Sequence, residues 1–401
     1  MTIRLYRNDS YLKEFQAEIK EILTEDESIS LILDQSAFYP ESGGQPSDWG
    51  FIENSRVIGI QEVEEDVLHL AEKRTSFHKG QKVTCSIDWQ RRFDHMQQHT
   101  GQHILSQAFL KSIGAETESF HLGTEISTID LSVPSLSRED IYNSEDLANQ
   151  IVYENRKVFP REILSEDQER FPIRKKSDRS GRIRVMEIDG FDYSPCGGTH
   201  CNRTGEVGII KVRRWERVRK KARVEFYCGR RALLDYRKKN RDLFLASRIF
   251  SVGDSDVIAA IEKGQANQKL LSKQLEKQNQ LLLEMEAAKL VSESKNLGGY
   301  SVITQVFENY DLKALNKLAS AALNQGAQIV ILASKTDRPC LLFTRHPDLE
   351  HLDMNEWIQR FAPKISGRGG GTRERAQAVG SSQEGIDSIL MEVVGLLNHL
   401  K

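Results

Sequence analysis

Met96-Gln-Gln-His99-Thr-Gly-Gln-His103-Ile-Leu-Ser-Gln107 lies within a helical pattern predicted over residues 91 to 112. Two histidines four residues apart project from one face of a helix and can grip one divalent ion. With ten histidines in 401 residues, such a pair carries little weight alone. A second pair adds to it: Cys196-Gly-Gly-Thr-His200 offers a thiolate and an imidazole on a tight, glycine-containing loop. The two pairs together either complete a tetrahedral site or supply three ligands with a fourth position open. Mixed cysteine and histidine donors favour zinc. The residue after the first histidine is Thr100, where the common zinc peptidases carry a glutamate base, so peptidase chemistry is disfavoured. Cys201, Cys85, Cys228 and Cys340 read as buried structural thiols.

Outward from this stretch, the chain divides by pattern into an α+β protein of four parts. Residues 1 to 90 alternate short apolar runs, such as Ser30-Leu31-Ile32-Leu33 and Val57-Ile58-Gly59-Ile60, with turn residues, which predicts a small β-barrel-like N-terminal domain. Residues 91 to 235 mix both periodicities and predict an α+β zinc-containing core, with strands near 125 to 133 and 182 to 189 and a second helix near 144 to 155. Residues 236 to 297 predict a long helix or helical hairpin. Leu271, Leu275, Leu282 and Met285 suit a heptad seam that Gln278 interrupts, leaving a coiled-coil homodimer and an intramolecular helix pair equally open. Residues 298 to 401 predict a C-terminal α/β domain with a glycine-rich loop at Gly367 to Gly371.

Composition narrows the function classes. A hydrophobic fraction of 39% and a charged fraction of 28% suit a globular chain, and no apolar run approaches the ~20 residues that span a bilayer. The N-terminus lacks an export pattern, so a cytoplasmic protein without a membrane partner is expected. Five scattered cysteines argue against a disulfide framework. The net charge of -2 hides an uneven distribution: residues 208 to 241 hold 14 Lys or Arg against Glu216, Glu225 and Asp235. Such a stretch either tracks phosphates or forms a solvated charged face.

Phe38-Tyr39-Pro40-Glu41-Ser42-Gly43-Gly44-Gln45-Pro46, the two-histidine helix and Cys196-Gly-Gly-Thr-His200 resemble, in order and spacing, the editing domain of alanyl-tRNA synthetases. Thr204-Gly-Glu-Val-Gly208 and Arg223 to Ala232 look like its continuation. Gly367-Arg-Gly-Gly-Gly-Thr-Arg-Glu-Arg-Ala-Gln-Ala-Val-Gly380 is similar to the C-terminal domain of the same enzymes, from whose pattern Arg368 and Val379 depart. The chain opens at the editing region, with no room for aminoacylation domains, and so resembles the long form of the free-standing AlaX-type editing proteins.

The resemblance implies a trans-editing hydrolase that deacylates mischarged tRNA(Ala), chiefly Ser-tRNA(Ala), with Gly-tRNA(Ala) as a second substrate. A pocket sized for alanine discriminates against serine or glycine by only ~1 to 3 kcal/mol, so a second hydrolytic site is needed. It also implies that His99, His103, Cys196 and His200 hold one Zn2+. Gly43, Gly44 and Gln45 would face the aminoacylated 3′ end, with Gln45 or a ribose hydroxyl orienting the water. Ser119 to Gly123 would line the pocket, His121 among them. Arg213, Arg214, Arg219, Lys220 and Lys221, together with Arg368, Gly369 and Gly370, are the expected tRNA contacts. The alternatives are a non-catalytic tRNA-binding protein with a structural zinc and a phosphoesterase; Asp94-His95-Met96 stops one residue short of the Asp-His-His that the latter would carry.

Overall fold

The computed structural model describes residues 1–24, 28–74, 76–178 and 180–399, which form two compact units, Met1–Ala246 and Ser247–Lys401. In the first unit β1 (Ile3–Arg4) pairs in parallel with β4 (Gln35–Ser36). The strands β2 (Glu14–Thr24), β3 (Ser28–Leu33), β5 (Gly50–Ile52), β6 (Ser55–Val63), β7 (Asp66–Glu72) and β8 (Lys82–Ile87) pair in the cyclic order β2-β3-β7-β6-β5-β8, and β8 returns to β2. The long strand β2 joins both sides of this ring: Glu14 to Glu18 pair with β8, and Ile19 to Thr24 pair with β3. Strict alternation places Val67, His69 and Ala71 of β7 inside, with Ile19, Leu31, Leu33, Phe38 and Ile52.

The next element, α1 (Trp89–Ile113), starts where the Asp88 side chain accepts the Arg91 N–H and stops at Gly114 in the left-handed conformation. Its apolar residues Met96, Ile104, Leu105 and Phe109 join a core shared with α2 (Arg138–Tyr153) and with a four-stranded sheet ordered β14-β15-β10-β9. That sheet consists of β9 (Thr117–Leu122), β10 (Ser127–Leu131), β14 (Ile210–Val218) and β15 (Lys221–Cys228), with β9 at one edge. A smaller sheet is built from β11 (Val158–Leu164), β12 (Arg182–Ile188) and β13 (Asp192–Pro195). Helix α2 begins six residues before the position expected from apolar periodicity, because Ser137 and Asp140 form a capping box that sets its start.

The predicted helical segment is two helices, α3 (Gly229–Phe250) and α4 (Val257–Ser292), parted where Ser251 takes a positive φ of 54° just before Gly253. The seam residues Leu271, Leu275, Leu282 and Met285 are exposed on α4; the helix packs instead through Ala287 and Leu290 against α5 (Leu312–Asn324). The second unit is a six-stranded sheet ordered β16-β17-β18-β19-β21-β20, comprising β16 (Lys295–Leu297), β17 (Tyr300–Phe307), β18 (Ile329–Ser334), β19 (Cys340–Arg345), β20 (Arg368–Gly371) and β21 (Arg375–Val379). The parallel pair β17 and β18 is joined through α5, and the other pairs are antiparallel. Helices α6 (Met354–Phe361) and α7 (Ile386–Asn398) contribute to a second core on this sheet, and β18 and β19 are buried along their whole length.

Most of the glycine run read as a loop is the edge strand β20. A Cβ on Gly369 would come within 2.4 Å of the Gln377 carbonyl oxygen, and one on Gly371 within 2.3 Å of the Arg375 carbonyl oxygen, so these glycines permit close strand approach rather than a turn. Among the described residues no helix is long and apolar enough to cross a membrane.

Candidate metal centre

Four ligand atoms, one each from His99, His103, Cys196 and His200, lie within 4.8 Å of one another, and these residues could hold a metal ion. Two come from successive turns of α1 and two from the loop after β13, which brings together both pairs singled out in the sequence. Cys196 Sγ is 3.3 Å from His99 Nε2 and 3.2 Å from His200 Nε2. Tetrahedral zinc with ordinary Zn–N and Zn–S bonds separates such atoms by roughly 3.6 Å, so the cluster needs to open by only a few tenths of an ångström.

The outer nitrogens are all committed. His99 Nδ1 donates to Gln45 Oε1 at 2.8 Å, His103 Nδ1 donates to Asp192 Oδ2 at 3.1 Å, and His200 Nδ1 is hydrogen-bonded to Thr100 Oγ1 at 3.3 Å. Each imidazole thus keeps Nε2 for the cluster, and each is oriented by a group that does not ligate, the arrangement typical of metal-binding histidines. All three rings are buried, and no carboxylate enters the inner group. Three buried imidazole nitrogens converging on one thiol form a donor set that suits zinc.

Charge is shared between the thiol and the rings, and a cation entering the cluster would displace the proton that His103 carries. Burial disfavours a thiolate at Cys196, but His99 and His200 outweigh it and hold the thiol well below its ordinary range. Burial likewise opposes a charged His103, yet the Asp192 carboxylate and the Cys196 sulfur raise it to about 9. His200 has burial and His99 both against a proton and falls to about 3. Burial also opposes the Asp192 charge, but Arg174 and His103 outweigh it and keep the carboxyl below its usual range; Ser194 donates to the same carboxylate at 2.9 Å.

The scaffold around the cluster explains its sequence. Arg184 of β12 donates to the carbonyls of Cys196 (2.8 Å) and Gly198 (3.0 Å), pinning the ligand loop. A Cβ on Gly198 would lie 2.2 Å from His99 Cε1, so the loop can pass the ring only as glycine. The segment 38 to 50 is closed by Asp48, which accepts the Tyr39 N–H at 2.6 Å and pairs with Arg92 of α1; both charged side chains are fully buried. Arg92 also donates to the carbonyls of Ser10 and Ala37, so the pair is embedded in further hydrogen bonds.

Within that segment Ser42 and Gln45 bond to each other across Gly43 and Gly44, whose φ values of +55° and +78° suit a two-residue turn that needs both residues left-handed. The turn delivers Gln45 into the buried cluster. Its Oε1 accepts from His99 and from the Thr199 N–H (3.2 Å), and its Nε2 donates to Thr199 Oγ1 at 2.8 Å. Gln45, expected to orient water, is hydrogen-bonded to the candidate ligand His99 and to Thr199. Gly43 and Gly44 are exposed beside it. In β9, Phe120 rather than His121 faces the cluster, its ring 5.9 Å from that of His99; alternation turns His121 to the opposite face.

The basic residues are dispersed. Arg213, Arg214 and Lys221 pair with Glu225, Glu216 and Glu118, while Arg219 and Lys220 form the exposed tip of the β14–β15 hairpin. Arg368, Gly369 and Gly370 lie on edge strand β20 of the second unit. A cavity of 730 Å³ beside the first turns of α1 is lined by Arg91, His95, Arg230, Arg231 and Lys238, together with four carboxylates. Sequence reasoning did not find Asp192, Thr100 or Thr199. Thr100 stood in the open between the two histidines, whereas nothing local marks Asp192, which is 89 positions from the ring it orients.

Three family profiles match: tRNA synthetases class II (A) over residues 9–91, the threonyl and alanyl tRNA synthetase second additional domain over 183–223, and the DHHA1 domain over 299–398. The chain is 30% identical over 410 residues to the alanyl-tRNA editing protein AlaX-L of Pyrococcus horikoshii, covering 100% of both chains. It is 32% identical to an alanine–tRNA ligase of Pyrococcus abyssi across 97% of this chain and 43% of that one, and 30% identical to the alanyl-tRNA editing protein Aarsd1 of Rattus norvegicus across 67% and 69% respectively. It thus spans the whole of one free-standing relative and less than half of the ligase.

Proposed function

The chain belongs to the alanyl-tRNA editing protein family, and on that premise we propose that it hydrolyses the ester linking a wrong amino acid to tRNA(Ala), chiefly serine and secondly glycine. The observation that carries this reading is the convergence of three Nε2 atoms and one thiol, each ring fixed from behind by Gln45, Asp192 or Thr100. A zinc ion held by His99, His103, Cys196 and His200 would supply Lewis-acid polarisation of the ester carbonyl or an anchor for the substrate amino group.

The chain's own residues divide the remaining work. Gln45 and Asp192 keep the Nδ1 protons of His99 and His103 in place, which presents Nε2 to the cluster. Arg184 fixes the loop that carries Cys196 and His200. With both the oxygen and one N–H of the Gln45 amide engaged, the orienting of water falls to a hydroxyl of the terminal ribose. Water adds to the ester carbonyl, the ribose oxygen leaves with a proton, and the products are the free amino acid and uncharged tRNA. Selection against alanine follows if the pocket hydrogen-bonds the serine hydroxyl, because alanine leaves those groups unpaired. The exposed hairpin tip at Arg219 and Lys220, its neighbours Arg213, Arg214 and Lys221, and the strand Arg368 to Gly370 are the proposed tRNA contacts.

Release of labelled serine from Ser-tRNA(Ala), with Ala-tRNA(Ala) as control, tests the assignment. Native protein should discharge only the first, and His103→Ala should lose more than about 100-fold of that rate while still binding tRNA, a larger loss than removal of a supporting residue brings. Zinc-loaded native protein that binds tRNA and releases no serine would replace this reading with a binding protein that holds a structural metal.

A further inference from the structure

Phe120 is 37% exposed on the edge strand β9, while the core of its unit takes Leu122 from the same strand. Its ring lies 5.9 Å from that of His99, tilted by 40°, beside an otherwise polar cluster. The other flank of the ring is seated on the glycine turn: a Cβ on Gly44 would stand 3.0 Å from Phe120 Cε2, and the Leu122 N–H donates to the Gly44 carbonyl at 3.0 Å. An aromatic ring is thus held in a fixed place by strand and turn, next to the ligand atoms, with much of its surface left open to water. An aromatic ring fixed beside a few convergent polar groups is the usual composition of a ligand site.

We propose that Phe120 is the stacking platform for the nucleobase of the substrate's 3′-terminal nucleotide, the adenine whose ribose carries the ester. This rests on the editing reading above. Base and ester are borne by the same sugar, so a ring that stacks on the base must stand within one sugar's width of the groups that act on the ester, which is where Phe120 stands. Serine and glycine have no flat face to match the ring, whereas every nucleobase does. The Gly43-Gly44 turn then serves twice, since it brings Gln45 beneath His99 and leaves the gap in which the ring lies.

The test uses tRNA(Ala) carrying serine on either a normal terminal adenosine or a terminal abasic ribose, with native protein, Phe120→Ala and Phe120→Trp. Phe120→Ala should lower kcat/KM on the normal substrate by on the order of 10- to 100-fold, with zinc content and thermal midpoint unchanged, and Phe120→Trp should restore it. The abasic substrate should cost the native protein the same factor and Phe120→Ala nothing further. Losses that multiply, or no loss in Phe120→Ala, would overturn the proposal. A second arm needs no hydrolysis: uncharged tRNA(Ala) ending in 2-aminopurine should change its fluorescence on binding native protein and not on binding Phe120→Ala. An equal change with both proteins overturns the stacking role. Absence of serine release by native protein, with the fluorescence difference intact, removes the editing chemistry and leaves the stacking site standing.

Discussion

His69 and His103 are both buried histidines of the same unit, on a strand and a helix that meet the core in ordinary ways, yet their surroundings have opposite outcomes. His69 spends both ring nitrogens inside the barrel-like ring: Nδ1 faces the Leu31 carbonyl at 3.0 Å and Nε2 the Ser36 hydroxyl at 2.7 Å. Burial, only partly offset by the Leu31 hydrogen bond, pushes it down to about 4, so it is a neutral packing residue. His103 spends one nitrogen on Asp192 and turns the other toward three more donors. What separates a packed histidine from a candidate ligand is therefore the nitrogen left over after the local hydrogen bonds are satisfied, and neither burial nor helical spacing reports it.

This contrast can be broken most severely at the ligands. Cys196→Ala should eliminate stoichiometric zinc after dialysis, read by plasma emission, and lower serine release by more than about 100-fold, whereas His69→Gln should retain both. Zinc retained at full occupancy by Cys196→Ala would dissolve the distinction. Asp192→Asn comes next: the ring keeps a partner but loses the charge behind it, and zinc affinity in chelator competition should fall by roughly 10- to 100-fold.

His69 offers the reciprocal test. Its folded-state value lies below the ordinary 6.5, so its contribution to stability is present above pH 6.5 and is lost as pH falls toward 4, because the unfolded chain takes up the proton first. Between pH 7 and pH 5 this amounts to about 2 kcal/mol. Denaturant midpoints should show a flatter pH dependence in His69→Gln than in the native protein, and parallel curves would mean that His69 does not set the slope. The smallest effect is expected at Gln45. As a support for His99, Gln45→Ala should weaken zinc binding by about 10-fold and recover serine release when zinc is added in excess. Loss of release at saturating zinc would instead give Gln45 a direct part in orienting water.

Much of the cluster was legible because its candidate ligands come in local pairs: four-residue spacing on a helix and a Cys-x-x-x-His loop are visible without any tertiary knowledge. The supports were less so, since Gln45 reaches His99 across 54 positions and Asp192 reaches His103 across 89. Elements were read correctly where periodicity decided them, as for α1 and β12. Reading failed where one residue type serves two ends. Glycines 43 and 44 provide positive φ for a turn, while glycines 369 and 371 make room for a neighbouring strand, and composition alone renders both as loops. The long helical segment left one helix and a hairpin both open because Gly253 alone does not distinguish a tolerated helix glycine from a stop.

The ring of supports also has a consequence for how the protein comes into being. Its members are drawn from the segment before β5, from the middle of α1, from β13 and from the loop that follows, so no shorter portion of the chain contains a complete site. Closing such distant loops is an entropic cost that must be met by the folding of the whole unit. Capture of an ion should therefore wait until His200 has emerged, about halfway along the 401-residue chain, and accompany the folding of the N-terminal unit.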